Sequence, residues 1–156
     1  MKLRVLYNYF QSHPESTWIM KWPNAVKLYE FIIENNIKRV LELGLGIGCS
    51  TAIMALAFQD KGETNYHIDS IEQFDKCIEL AKKMIPEEFL KNITIHKIEP
   101  DIWSTEKIPY QYFSIYELLP ESPPEGWDLI VVDGPAPFMI KSNNGIQQDK
   151  LPEEQR

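Results

Sequence analysis

No run of about 18 or more apolar residues occurs anywhere in this chain, so nothing in it reads as a membrane-spanning helix. The N-terminal MKLRVLYNYFQSHPESTW also lacks the apolar h-region and small-residue cleavage site of a secretory signal, which makes cytoplasmic residence the expectation. Cysteine is scarce. Cys49 and Cys77 form neither a C-x-x-C pair nor a metal-ligand spacing, which suits a reducing compartment. Positive charge is outweighed, with 16 Lys and Arg against 23 Asp and Glu and a formal net charge of −7. Binding to phosphate backbones needs a basic face, so no nucleic-acid partner is expected. Internal repeats and low-complexity tracts are missing as well. What is present, 156 residues with 44% hydrophobic and 12% aromatic content, describes a single folded domain with one core.

Hydrophobic periodicity divides the chain into alternating helices and strands. Val26, Leu28, Tyr29, Ile32 and Ile33 fall near one face of a helix over residues 24–36, with Pro23 and Asn24 in starting positions. A first strand is expected over Arg39 to Leu43, a short buried helix over Ser50 to Gln59, and a second strand over Tyr66 to Glu72. A helix from Phe74 to Ile85 is stopped by Pro86, and Asn92 to Ile98 alternates as a third strand. Trp127 to Asp133, WDLIVVD, is a continuous apolar run, as expected of a parallel strand buried on both faces. The proline-rich stretch from Glu99 to Gly126 reads as a surface excursion. Such alternation predicts an α/β, Rossmann-like, mostly parallel sheet with flanking helices. Residues 1–37 would form an N-terminal cap, 38–137 a ligand-binding core and 138–156 a polar tail.

In such sheets ligands sit beyond the carboxyl ends of the strands, so residues just after each strand carry the functional information. The first of these regions is Val40 to Thr51, VLELGLGIGCST, where Gly44, Gly46 and Gly48 alternate and Glu42 precedes them by two. Glycine lets backbone approach a ligand because no Cβ intervenes. The dinucleotide spacing G-x-G-x-x-G is not met, since Cys49 stands where the third glycine would be. Ser50, at the start of the following helix, could offer a hydroxyl beside the helix N-terminus. Thr51 is read as a plain N-cap and Cys49 as a small residue filling the turn. A second region is Ser70-Ile71-Glu72, where a carboxylate could accept hydrogen bonds from ribose hydroxyls; Asp69 competes for this role. The third is Asp133 in DLIVVDGP.

The pattern E-x-G-x-G-x-G, followed in order by Glu72 and Asp133, resembles class I S-adenosylmethionine-dependent methyltransferases, and most closely their small-molecule O-methyltransferases. The resemblance spans roughly residues 24–137. It implies S-adenosylmethionine as cofactor, held by Glu42, Gly44, Gly46, Gly48, Ser50, Glu72 and an acid after the third strand. Glu99 is chosen for that last role, with Asp101 as its neighbour. Asp133 would face the transferred methyl, and a small molecule would be the acceptor. His67 and His96 lie within expected strands as packing residues, and His13 in a loop.

The chain departs from that family at its end. KSNNGIQQDKLPEEQR contains no apolar run able to form the last strands of a seven-stranded sheet. Either the chain is a fragment, or an open strand edge would need covering by a homodimer or by the N-terminal LRVLYNYF, whose Leu3, Val5 and Tyr7 alternate as in a strand. A truncated, non-catalytic cofactor-binding or partner-binding module is the second reading.

Overall fold

A computed structural model of the protein describes residues 2–16, 19–98, 101–105, 108–114, 120 and 123–133, with the backbone alone for 101–105 and 108–114. Its elements run α1 (Leu3–Gln11), α2 (Trp22–Glu34), β1 (Arg39–Leu43), α3 (Cys49–Lys61), β2 (His67–Glu72), α4 (Asp75–Met84), α5 (Glu87–Leu90), β3 (Ile93–Lys97), β4 (Asp101–Thr105), β5 (Ile108–Ser114) and β6 (Leu129–Val132). Four strands form one parallel sheet in the order β3-β2-β1-β6. The Rossmann-like α/β fold expected from the sequence is therefore the fold observed. β4 and β5 pair antiparallel as a separate two-stranded ribbon within the stretch read as an excursion.

Side-chain parity sorts the sheet into two unlike faces. Val40, Ile68, Ile93, Ile95, Leu129 and Val131 join one apolar cluster with residues from all five helices. Leu41 and Ile71 are buried yet stand outside that cluster, on the opposite face. At the centre of the covered side lies α3, buried from Cys49 through Phe58. A helix apolar on every side is one surrounded by protein, and here α1 and α2 pack over α3 from outside. α3 ends at Lys61, two residues beyond the expected Gln59, with Gly62 in the left-handed conformation as its cap.

Two expectations are corrected. The N-terminal segment is no edge strand. Leu6, Tyr7 and Phe10, at helical spacing, are all buried in α1, which outweighs the alternation of Leu3, Val5 and Tyr7. Tyr7 also donates its hydroxyl to the Met20 carbonyl at 3.1 Å and meets the Trp22 ring edge-on at 5.1 Å. The second correction concerns β6, where Ile130 and Val132 are 55% and 69% exposed, so that strand is buried on one face only.

β6 is fastened to β1 at its start. The Asp128 carboxylate accepts the backbone N–H groups of Lys38 and Arg39, both at 2.9 Å, and meets the Arg39 guanidinium, which also pairs with Glu125. These bonds hold its carboxyl below the usual range, the Arg39 backbone N–H foremost. The predicted polar tail and Gly134-Pro135 lie outside the described residues.

Candidate functional site

The β1–α3 loop is held in place from both sides. Leu45 and Ile47 turn their side chains into the core, and the N–H groups of Gly44 and Leu45 both donate to the Ile71 carbonyl, at 3.1 and 3.0 Å. That leaves the glycines to shape the outer surface. A Cβ on Gly46 would meet nothing within 4 Å, so this backbone borders open space. Gly48 differs, because a Cβ there would stand 2.8 Å from the Ile85 side chain, and its φ of +86° is left-handed. Gly48 thus serves the packing of α4 against the loop, and as the N-cap of α3 it leaves that helix without a side-chain cap. Neither Ser50 nor Thr51 caps α3, contrary to the reading of Thr51.

Glu72 closes the loop from β2. One carboxylate oxygen accepts the Gly46 N–H at 2.9 Å, while the other accepts those of Gln73 and Phe74 at 2.8 and 3.0 Å. The last residue of β2 is thereby joined to the middle glycine of the loop after β1. Asp69, the competitor, lies mid-strand and is engaged elsewhere. It contacts His96 at 2.8 Å and accepts the Trp127 indole N–H at 3.3 Å. His67 stands 3.5 Å from the same carboxylate and 3.0 Å from the Thr94 hydroxyl. Both histidines are on strands as expected, but in a polar cluster on the uncovered face and not in apolar packing.

Glu42 faces inward. It is fully buried, and its carboxylate accepts the hydroxyls of Ser50, Thr51 and Ser70, each at 2.5 Å. The Ser50 hydroxyl, read as a ligand contact, is therefore turned into the protein toward Glu42. Burial is the main cause that pushes the Glu42 carboxyl up to about 7, with nearby Asp133 adding to the rise and the three hydroxyls opposing it. Cys49 is pushed up to about 12 by burial, Asp133 and Glu42 in that order, so it stays a neutral thiol. Asp133, whose N–H donates to the Leu43 carbonyl at 2.9 Å, is raised by burial. Glu99 lies outside the described residues, as does the side chain of Asp101.

The roles of Thr51 and Ser70 were missed in the sequence, although Glu42 and Ser70 are register partners and share a face with Val40. Strand parity was the signal. The site lies where the strand order reverses, between β1 and β6, which is where open α/β sheets bind ligands. It combines loop backbone that borders open space at Gly46, a helix N-terminus without a side-chain cap, and carboxylates at the ends of β2 and β6. Such a surface can take a ligand with one anionic end, a diol and a cationic centre.

Comparison with known proteins agrees with this geometry. The curated protein-L-isoaspartate O-methyltransferase of Protochlamydia amoebophila (strain UWE25) is 29% identical over 96 residues, 62% of this chain and 42% of that protein. The chain thus spans less than half the length of that relative. Among solved structures, the SAH-bound methyltransferase PaMTH1 of Podospora anserina matches 85% of this chain and 49% of its own, with TM-score 0.59 and 15% identity. The O-methyltransferase TomG of Streptomyces achromogenes, solved with SAM and involved in tomaymycin synthesis, matches 88% and 55%, with TM-score 0.59 and 16% identity. These two likenesses establish the fold. The family model described as protein-L-isoaspartate(D-aspartate) O-methyltransferase matches residues 16–125, most of the chain, and the chain belongs to that family of class I methyltransferases.

Proposed function

We propose that this chain binds S-adenosylmethionine across the β1–α3 loop and the end of β2, and that the transfer it supports is of a methyl group to oxygen. The observation that carries this reading is the bond from the Gly46 N–H to Glu72, which brings the glycine loop and the acid at the end of β2 into one cradle. The open space at Gly46 fits close approach of a ligand to backbone. In the bound state the sulfonium supplies an already activated methyl group, so the protein has only to align, exclude water and manage a proton.

Each part of the chain then has a task. Unpaired N–H groups in the first turn of α3 receive the amino-acid carboxylate. Beyond its three backbone partners Glu72 retains one acceptor site, on the oxygen that also accepts the Gly46 N–H, and uses it on a ribose hydroxyl. Asp133, past the end of β6, faces the acceptor oxygen. Its carboxylate takes the proton when that oxygen belongs to a small-molecule hydroxyl, the acceptor we favour from the resemblance to small-molecule enzymes. A carboxylate acceptor, favoured by the isoaspartate relative, carries no proton to remove.

Calorimetric titration with S-adenosylmethionine, and in parallel with NAD, tests the cofactor; only the first should bind. Glu72→Ala should weaken that binding at least tenfold, since each lost bond to a charged group is worth about 1.5–3 kcal/mol. Unchanged affinity would remove Glu72 from the site. Asp133→Asn should leave affinity intact, abolish transfer to a hydroxylated acceptor and spare transfer to a carboxylate.

A further inference from the structure

Beneath the glycine loop lies a carboxylate that the proposed transfer leaves without a task. Glu42 is fully buried, with three hydroxyls on its oxygens. Among the described residues no Lys, Arg or His pairs with it. The titratable groups that act on it are Asp133 from the end of β6 and Cys49 from the first turn of α3, while β2 presents the Ser70 hydroxyl. Three neutral donors offset a buried charge only in part. A neutral amide would tie the same elements together at lower cost, so anchoring alone does not account for an acid here.

The strand order supplies the missing partner. Glu72 ends β2 and Asp133 follows β6, with β1 between them. On the reading proposed above, a ligand with its ribose at Glu72 and its reacting centre toward Asp133 crosses the end of β1, and Glu42 lies in the floor beneath that crossing. We propose that Glu42 is the buried counter-charge that separates the cationic sulfonium cofactor from its neutral thioether product. An ionised Glu42 favours the sulfonium. When the methyl has left and the positive charge with it, the carboxylate loses its partner and takes up a proton from solvent. The elevated proton affinity of Glu42 places this exchange near neutrality.

The two ligands share their adenosine and amino-acid ends, so contacts at Glu72 and α3 cancel in the ratio of their affinities and the sulfonium charge remains. Titrations of S-adenosylmethionine and S-adenosylhomocysteine from pH 6 to 8 should show that ratio rising about tenfold toward the cation in the wild type. In Glu42→Gln it should change less than about twofold. Should that variant not fold, Ser70→Ala takes one donor from the carboxylate and should move the rise upward by about one pH unit. A ratio constant with pH, a rise that persists in Glu42→Gln, or an unmoved rise in Ser70→Ala overturns the role of Glu42 and leaves the cofactor reading standing. Failure of the folded wild type to bind either ligand overturns both.

Discussion

The two faces of the central sheet are built from the same four strands and obey opposite rules. On the helix-covered face every described strand residue is apolar except Glu42, Ser70, Glu72 and Lys97, and the first two of these bond to each other. On the other face Arg39, His67, Asp69, Thr94, His96 and Asp128 form pairs with solvent nearby, and Ile130 and Val132 stand exposed. Acids therefore mean different things on the two sides. Asp128 on the open face is held by backbone N–H groups and its charged form is favoured, whereas Glu42 on the covered face is desolvated and its neutral form is favoured. The face onto which the strand register turns each acid decides which.

The sharpest break in this comparison is a truncation on each side. Ile68→Ala, in the covered core, should lower unfolding free energy by about 2–5 kcal/mol in urea titration, while Ile130→Ala should stay within about 0.5 kcal/mol. Comparable losses would show that the open face is as well packed as the other. Next comes the pH dependence of the buried acid. Because folding raises the Glu42 carboxyl from its ordinary 4.5 to about 7, its contribution to stability is present below 4.5 and is lost as pH climbs to about 7. Glu42→Gln should remove a slope on the order of 2 kcal/mol across that window. A wild-type denaturation midpoint that is flat with pH there would contradict the burial argument.

Asp128 carries the opposite sign. With its carboxyl lowered by folding, its stabilisation is full above the unfolded value near 3.8 and disappears as pH falls through the lower folded value. Asp128→Ala at neutral pH should cost about 1–2 kcal/mol by leaving the Lys38 and Arg39 N–H groups without their acceptor. A difference that persists unchanged at pH 2 would rule out the charge as its source. The smallest effect is expected in the loop. Gly46→Ala should cost about 1 kcal/mol for its left-handed φ alone, and Gly48→Ala more, since its Cβ also presses on Ile85.

Much of this was legible from residue pattern. The glycines stand in the loop after β1 because Leu45 and Ile47 between them anchor inward, and Glu72 ends β2 because Gln73 and Phe74 already break the alternation. The start of the chain misled because Leu3, Val5 and Tyr7 alternate while Leu6, Tyr7 and Phe10 fit a helix, and in nine residues both periods coexist. WDLIVVD reads as doubly buried, but a run of apolar residues does not state how many layers will cover it. Glu42 was read from its neighbourhood to the glycines, while its burial depends on Ser70, 28 residues away, and on which side α3 packs. Contacts that distant in sequence leave no local trace.

The Asp128 clasp has a bearing on the order in which this chain acquires its structure. It joins residues 89 apart, three times the separation across β1 and β2. Closing so long a loop costs entropy before any bond rewards it, so β6 docks after the β1–α3–β2 unit. During synthesis that unit emerges and waits with one side of its first strand unpaired, a template open to any extended segment nearby. In hydrogen exchange, the amides of β1 that face β2 should outlast those that face β6.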